Sequence, residues 1–313
     1  MKPVPFEYVA VKSVNEAITA LEKYGDNTVI IAGGQSLMQE MNLRQARPSC
    51  LVDINGITDL DYIEETGDAI KIGALTRHRT VEKSEIVKRN CPLLQEAVTH
   101  IAHFQIRNRG TIGGSLRQNP PGAEYGVVAR VLNAQFVIAG PDGKRVLSGE
   151  EFFVSHFKTA VKQNEIIVEI IFPKLTKETG YGFLEVTRRH GHIPIVSAAA
   201  TLQLNEDDTV KDAQVALGNV SPQGVPYKVQ SVSQLIGKPF TQEILDQLAN
   251  DIKNEVNPDP EADAKAGYTL QLSRIMGRRV SEISSAEYRK EASSVLSIRA
   301  LQKAYQQIKG TFQ

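Results

Sequence analysis

Ile31-Ala-Gly-Gly-Gln-Ser-Leu-Met-Gln-Glu-Met41 is the stretch on which the reading of this chain turns. It continues Thr28-Val-Ile-Ile-Ala32, a β-branched run suited to a buried strand, and leads into a helical pattern through Leu37, Met38 and Met41. Between strand and helix stand paired glycines and a hydroxyl residue. Without side chains the backbone can approach a ligand closely, and successive amides can point at one anionic group. A second stretch of this kind, Arg107-Asn-Arg-Gly-Thr-Ile-Gly-Gly-Ser-Leu116, follows about eighty residues later. Ser36 and Thr111 can add hydroxyl donors, so two such turns could grip the two phosphates of a dinucleotide from opposite sides. Taken singly, each is equally well explained as an ordinary tight turn. Neither matches the G-x-G-x-x-G fingerprint, and neither carries the Lys-Ser/Thr of a P-loop.

The pattern extends outward from the first turn. Ser13-Val-Asn-Glu16 reads as a capping box; Val14, Ala17, Ile18 and Leu21 then share one helix face, and Gly25 can end that helix. Cys50-Leu-Val-Asp-Ile54 supplies another strand and completes a β-turn-α-β unit. From about Leu60 to Pro173 short strands alternate with turns. They include Ala69–Ala74 and the pair Phe136–Ala139 and Arg145–Leu147 around the Gly140-Pro-Asp-Gly143 turn. One helix interrupts them, from Pro92 to about Phe104. Pro173–Gly180 is the best linker, followed by strands at Ile195–Leu204 and Ala213–Leu217 and mostly helical patterns from Thr241. The expected architecture is α+β, with a domain over 1–175 and a smaller α+β domain over 176–313.

Composition narrows the function. The 313 residues carry 36 Lys+Arg against 36 Asp+Glu, so no global field attracts nucleic acid or anionic lipid. No apolar run reaches the ~18 residues that a membrane span requires, and Met1–Ser13 lacks the apolar core of a signal peptide. A cytoplasmic protein is expected. Two cysteines, Cys50 and Cys91, cannot ligate a four-thiolate cluster, so a redox cofactor on this chain is held by other means. His100 with His103, and His190 with His192, lack metal-ligand spacing and a completing acid or thiol, and read as solvated or hydrogen-bonded histidines. Arg107 and Arg109 either lend charge to phosphates or form salt bridges. Arg188-Arg189 reads as a solvated or domain-interface pair.

The two glycine stretches resemble the flavin motifs of the FAD-binding subunits of molybdenum hydroxylases. So do Lys71-Ile-Gly-Ala-Leu-Thr76 between them, Val131-Leu-Asn-Ala134 after them, and Ser285-Ala-Glu-Tyr-Arg289 through Arg299-Ala-Leu301 near the end. The resemblance spans nearly the whole chain. It implies an FAD-binding domain of the p-cresol methylhydroxylase type, built from two α/β subdomains with FAD extended between them, and a smaller C-terminal domain. Ala32, Gly33, Gly34, Gln35 and Ser36 would wrap the pyrophosphate from one side, with Leu37 among the cofactor contacts. Thr111, Gly113, Gly114 and Ser115 would do so from the other.

Three positions depart from the family pattern. The usual Asp-Pro-Ala-x-Asp here reads Pro120-Pro-Gly-Ala-Glu124, keeping a cofactor-fixing acid one methylene longer. Glu185 stands near the flavin ring where a lysine is common, and should lower the flavin potential by like-charge repulsion. His192 replaces an aspartate.

The function implied is electron relay. A partner subunit with a molybdenum cofactor hydroxylates the substrate, and a two-cluster 2Fe–2S subunit passes the electrons on. FAD then delivers them to NAD, a quinone or oxygen. No catalytic base and no metal ligand is assigned to this chain. The alternatives are a self-contained FAD-dependent oxidoreductase on the same fold and a flavin-less scaffold subunit.

Overall fold

The computed structural model describes residues 2–260 and 285–310. The chain opens with β1 (Glu7–Ala10), α1 (Val14–Tyr24), β2 (Thr28–Ile31), α2 (Leu37–Asn42) and β3 (Cys50–Asp53). These strands form a parallel sheet in the order β1-β3-β2. Strand β1 was not among the sequence expectations; mostly exposed, it is held by its ladder to β3. Helix α1 starts with the expected cap, slightly altered. Ser13 Oγ accepts from the Glu16 amide at 3.1 Å, whereas the Glu16 carboxylate accepts from the Lys12 amide at 2.8 Å and not from that of Ser13. Gly25, at φ 74°, ends the helix.

A second, antiparallel sheet has the order β4-β5-β10-β6-β7. Its strands are β4 (Ile63–Glu65), β5 (Ala69–Gly73), β6 (Gln135–Gly140), β7 (Gly143–Ser148) and, after the short pair β8 (Phe153–Ser155) and β9 (Lys158–Thr159), the central β10 (Ile166–Pro173). A bulge between Ile167 and Glu169 changes which side of β10 points which way. Ile166 and Val168 join the core under the parallel sheet, while Ile170 and Phe172 join the main core.

Between β5 and β6 the chain forms six helices where one was expected. They are α3 (His78–Lys83), α4 (Glu85–Asn90), α5 (Pro92–His100), α6 (Phe104–Arg107), α7 (Ile112–Gln118) and α8 (Glu124–Val131); a seventh, α9 (Gly149–Phe152), follows β7. Most are too short for a 3.6-residue pattern to repeat, and α8 is buried on nearly every side, so it shows no polar stripe. The expected Pro92–Phe104 helix stops at His100 because Ala102 takes a left-handed φ of 47°. His100 therefore ends α5, while His103 lies outside it as the N-cap of α6.

Beyond Pro173, β11 (Gly180–Val186), β12 (Val196–Leu204), β13 (Val210–Gly218) and β14 (Tyr227–Lys228) form an antiparallel meander. One face, through Phe183, Ala199 and Ala216, joins the main core with α8. The other is covered by α10 (Gln242–Glu255) and α11 (Ala286–Lys309). Helix α11 lies directly on β11, where a Cβ at Gly182 would come within 2.5 Å of the Ala300 carbonyl. Arg289, 1% exposed, pins α11 by donating to the Asn219 backbone and side-chain oxygens and to the Asp259 carbonyl. The helical reading of residues 261–284 lies outside the described residues.

Candidate flavin site

The two glycine stretches, far apart in sequence, touch. A Cβ at Gly33 would lie 2.4 Å from the Arg109 carbonyl oxygen and 2.8 Å from Gly110 Cα. Gly33 is buried, and its lack of a side chain is what lets the first turn rest on the second. Gly113 is the counterpart on the other side, since its Cβ would meet Ala74 at 2.7 Å. The segment Ala74–His78 braces it through hydrogen bonds from the Gly113 amide to the Ala74 carbonyl, from Ile112 to Thr76 and from His78 to Gly110.

The second glycine of each pair is different. Gly34, half-buried, takes a left-handed φ of 70°. Gly114 is exposed, and a Cβ there would meet only the Thr111 hydroxyl, at 2.8 Å. Gly33 and Gly113 are thus packing glycines; Gly34 is required by its left-handed φ, with Met38 3.3 Å from where a Cβ would lie, and Gly114 faces outward. The second pair is not a tight turn, as expected, but the first turn of α7. Thr111 N-caps that helix, its Oγ1 accepting from the Gly114 amide at 3.2 Å. Ser115 follows, half-buried in the same turn. On the first side, Ser36 is exposed and makes no capping bond, leaving its hydroxyl open, while Leu37 begins α2 beneath it. Gln35 is turned inward, donating to the Gly33 carbonyl at 3.0 Å, and the Ala32 carbonyl accepts from Asn55 at 2.8 Å.

Asn55 and Arg77 were not anticipated, because no motif marks them. Arg77 donates to Asn55 Oδ1 at 2.8 Å and, with its other nitrogen, to the Arg109 carbonyl. A chain of hydrogen bonds therefore runs from Ala32 in the first turn to Arg109 in the second. Burial, and then repulsion by Arg109, lower the Arg77 pKa, against the opposing charges of Asp61 and Asp53. A cavity of about 250 Å³ lined by Asn55, Ile57, Thr58, Asp61, Leu75 and Arg77 opens next to this strut. The two flanking arginines take different parts. Arg107 is buried against Glu82 (3.0 Å) and the Ile101 carbonyl (2.9 Å), whereas Arg109 is exposed.

Glu124 opens α8 and is buried. Burial, and next the charge of Glu185, raise its pKa to about 8, so it is protonated at neutral pH. Glu185 lies on β11 with its side chain 4% exposed and Oε1 3.3 Å from His100 Nδ1. Its cross-strand partner Ser197 donates to the Gly122 carbonyl at 2.7 Å, which ties β12 to the loop before Glu124. His192 is exposed on the following loop, its pKa lowered by burial and by Arg189. Among the described residues no group of three or more His, Cys, Asp or Glu is arranged to hold a metal.

Paired backbone turns, an open hydroxyl and flanking guanidinium groups suit a diphosphate, and comparison with known proteins agrees. Residues 4–175 match the FAD binding domain in molybdopterin dehydrogenase, and residues 181–283 match the CO dehydrogenase flavoprotein C-terminal domain. The chain belongs to the FAD-binding subunits of the molybdenum hydroxylases and is an oxidoreductase subunit that binds FAD. It is 38% identical over 280 residues to the 6-hydroxypseudooxynicotine dehydrogenase complex subunit alpha of Paenarthrobacter nicotinovorans, covering 89% of this chain and 94% of that one. The carbon monoxide dehydrogenase medium chain of Hydrogenophaga pseudoflava is 35% identical, with 89% and 96% covered. A solved structure of carbon monoxide dehydrogenase from that organism matches with a TM-score of 0.87 at 32% identity, covering 98% of this chain and 99% of that one. No described helix is long and apolar enough to cross a membrane.

Proposed function

We propose that this chain is the electron-relay subunit of a molybdenum hydroxylase complex. It takes electrons from a two-cluster 2Fe–2S partner, itself fed by a molybdenum-cofactor subunit, and passes them to NAD, a quinone or oxygen. The observation that carries the reading is the seating of Gly33 on Arg109–Gly110, which brings two phosphate-suited turns together. Residues 1–175 form the flavin-holding unit and 176–313 the C-terminal unit beside it. Ala32, Gly33, Gly34, Gln35, Ser36 and Leu37 line one side of the pyrophosphate, and Thr111, Gly113, Gly114 and Ser115 the other. Glu124 and Glu185 lie toward the ring, with His192 on the rim. Bound flavin supplies the redox chemistry; the chain supplies position, charge and exclusion of water.

The experiment is purification of the full chain from the native host, alone and with whatever co-purifies. The chain alone should be yellow and free of iron. It should not oxidise purines, aldehydes, nicotinate-like heterocycles or carbon monoxide, while the co-purified assembly should contain molybdenum and iron. Substrate oxidation by the lone chain would replace this reading with a self-contained oxidoreductase. A folded, colourless chain would replace it with a scaffold.

A further inference from the structure

Asp53, the last residue of β3, lies level with Ile31 at the end of β2, immediately before the first glycine turn. Its Oδ1 accepts twice from Asn55, from the backbone amide at 2.9 Å and from the side-chain Nδ2 at 2.7 Å. The first of these is an Asx-turn, which a carboxylate makes with the amide two residues on. The other oxygen, Oδ2, accepts from the Tyr8 hydroxyl on β1. Asp53 is therefore held from one side while it holds Asn55 on the other at two points.

Asn55 passes that constraint on. Its Nδ2 also donates to the Ala32 carbonyl at 2.8 Å, and its Oδ1 accepts from Arg77 at 2.8 Å. A carboxamide has one donor end and one acceptor end, and here each is matched. Turned over, it would set oxygen against the Asp53 carboxylate and the Ala32 carbonyl, and its amide hydrogens against a guanidinium. The carbonyl and N–H of a trans peptide point in opposite directions. Holding the Ala32 carbonyl toward Asn55 thus turns the Gly33 amide the other way. Gln35 does the same for the next peptide by donating to the Gly33 carbonyl at 3.0 Å, which orients the Gly34 amide. Among the described residues neither of these two amides meets an acceptor.

We propose that Asp53 is a positioning residue for the dinucleotide: through Asn55 it fixes the Ala32–Gly33 peptide, so that the Gly33 amide is presented to a phosphate. The proposal rests on the reading that the first turn lines the pyrophosphate. An anion in contact with a diphosphate would repel it. Acting through a neutral carboxamide, Asp53 orders the turn without adding its charge to the surface that meets the phosphates.

The test is fluorescence titration of the full chain with FAD, beside melting of the flavin-free form. Asp53→Leu removes both acceptors and should weaken FAD binding roughly 10- to 100-fold, the worth of a hydrogen bond to a charged group. Asp53→Asn keeps an oxygen for Asn55 and should restore most of that affinity. Adding Arg77→Met to Asp53→Leu should cost far less than the product of the two single losses, because both act through Asn55. Asn55→Asp is a second route that leaves Asp53 in place. It sets a carboxylate against Asp53 and the Ala32 carbonyl, so binding should be weak at neutral pH. Relative to wild type it should strengthen as pH falls, when the two carboxylates come to share a proton. Unchanged affinity in Asp53→Leu, losses that multiply in the double variant, or a pH-independent Asn55→Asp protein overturns the proposal and leaves the flavin reading standing. A wild-type chain that folds without taking up FAD overturns that reading instead.

Discussion

Gly33 and Gly114 show how one residue type serves two ends. At Gly33 the missing side chain is occupied space, because the Arg109 carbonyl sits 2.4 Å from where a Cβ would be. Backbone cannot yield as a side-chain tip can, so Gly33→Ala should force the two turns apart. We expect a loss of roughly 1–3 kcal/mol, the scale of overpacking, together with loss of FAD. At Gly114 the missing side chain is open space at the surface, with only the Thr111 hydroxyl close. Gly114→Leu disturbs at most that cap, a cost of about 1 kcal/mol. It should melt only slightly lower than the flavin-free wild type, yet should exclude FAD. Added FAD should then give no thermal shift, because ligand stabilisation requires binding. Melting curves with and without FAD, beside the flavin-to-protein absorbance ratio, separate the two cases. Full flavin occupancy in the Gly114→Leu protein would show that the pyrophosphate is held elsewhere.

The elements matter through what joins them. The parallel sheet carries the first turn and the helical insertion carries the second, and Arg77 bridges the two by way of Asn55 and the Arg109 carbonyl. Arg77→Met keeps the bulk of the side chain but removes the donors, leaving two acceptors unmatched. Charge-assisted bonds of this kind are worth about 1.5–3 kcal/mol, so FAD should dissociate roughly 10- to 100-fold more readily. Arg77→Lys, with its charge but without the planar fork, should fall between. Fluorescence titration of FAD at low and high salt provides the measurement. Equal affinity in wild type and Arg77→Met would show that the turns hold their spacing without the strut. The same reasoning locates the second turn's strength in α7, where Thr111 stabilises the first helical turn and spends one amide, that of Gly114, in doing so.

Two buried groups give the whole molecule an unusual response to pH. Glu124 holds its proton more tightly folded, near pH 8, than its ordinary 4.5, so its contribution is full below pH 4.5 and is lost as pH rises through 8. His78, buried against Tyr125 and lowered by burial and then Arg107, drops from 6.5 to about 3. Its contribution is full above pH 6.5 and is lost as pH falls through 3. Each slope approaches about 1.4 kcal/mol per pH unit, and between pH 4.5 and 6.5 the two oppose each other. Glu124→Gln removes the first alone. The melting temperature of wild type should therefore fall relative to this variant as pH rises from 4.5 to 8. Parallel curves across that window would mean that Glu124 titrates as it does in the unfolded chain.

The sequence by itself determined the β-turn-α-β start, the hairpin around Gly140–Gly143, two of the four strands after the linker and the two glycine stretches. These rest on local signals: β-branched runs, caps, and glycine where backbone must come close. The family resemblance read from those stretches, with FAD as cofactor, agrees with the domains that match the chain. Tertiary structure decided the rest. The helices between β5 and β6 are short or fully buried, so no amphipathic period announces them, and β1 exists through its ladder to β3. What makes Gly33 a packing residue is what lies opposite, namely backbone contributed from about eighty residues away. Glu185 and His100, read separately as a departure and as half of a histidine pair, become partners because β11 packs beside α5. Spacing along a chain reports local geometry, whereas charge pairs and close approaches between distant segments are set by packing, which only the folded molecule fixes.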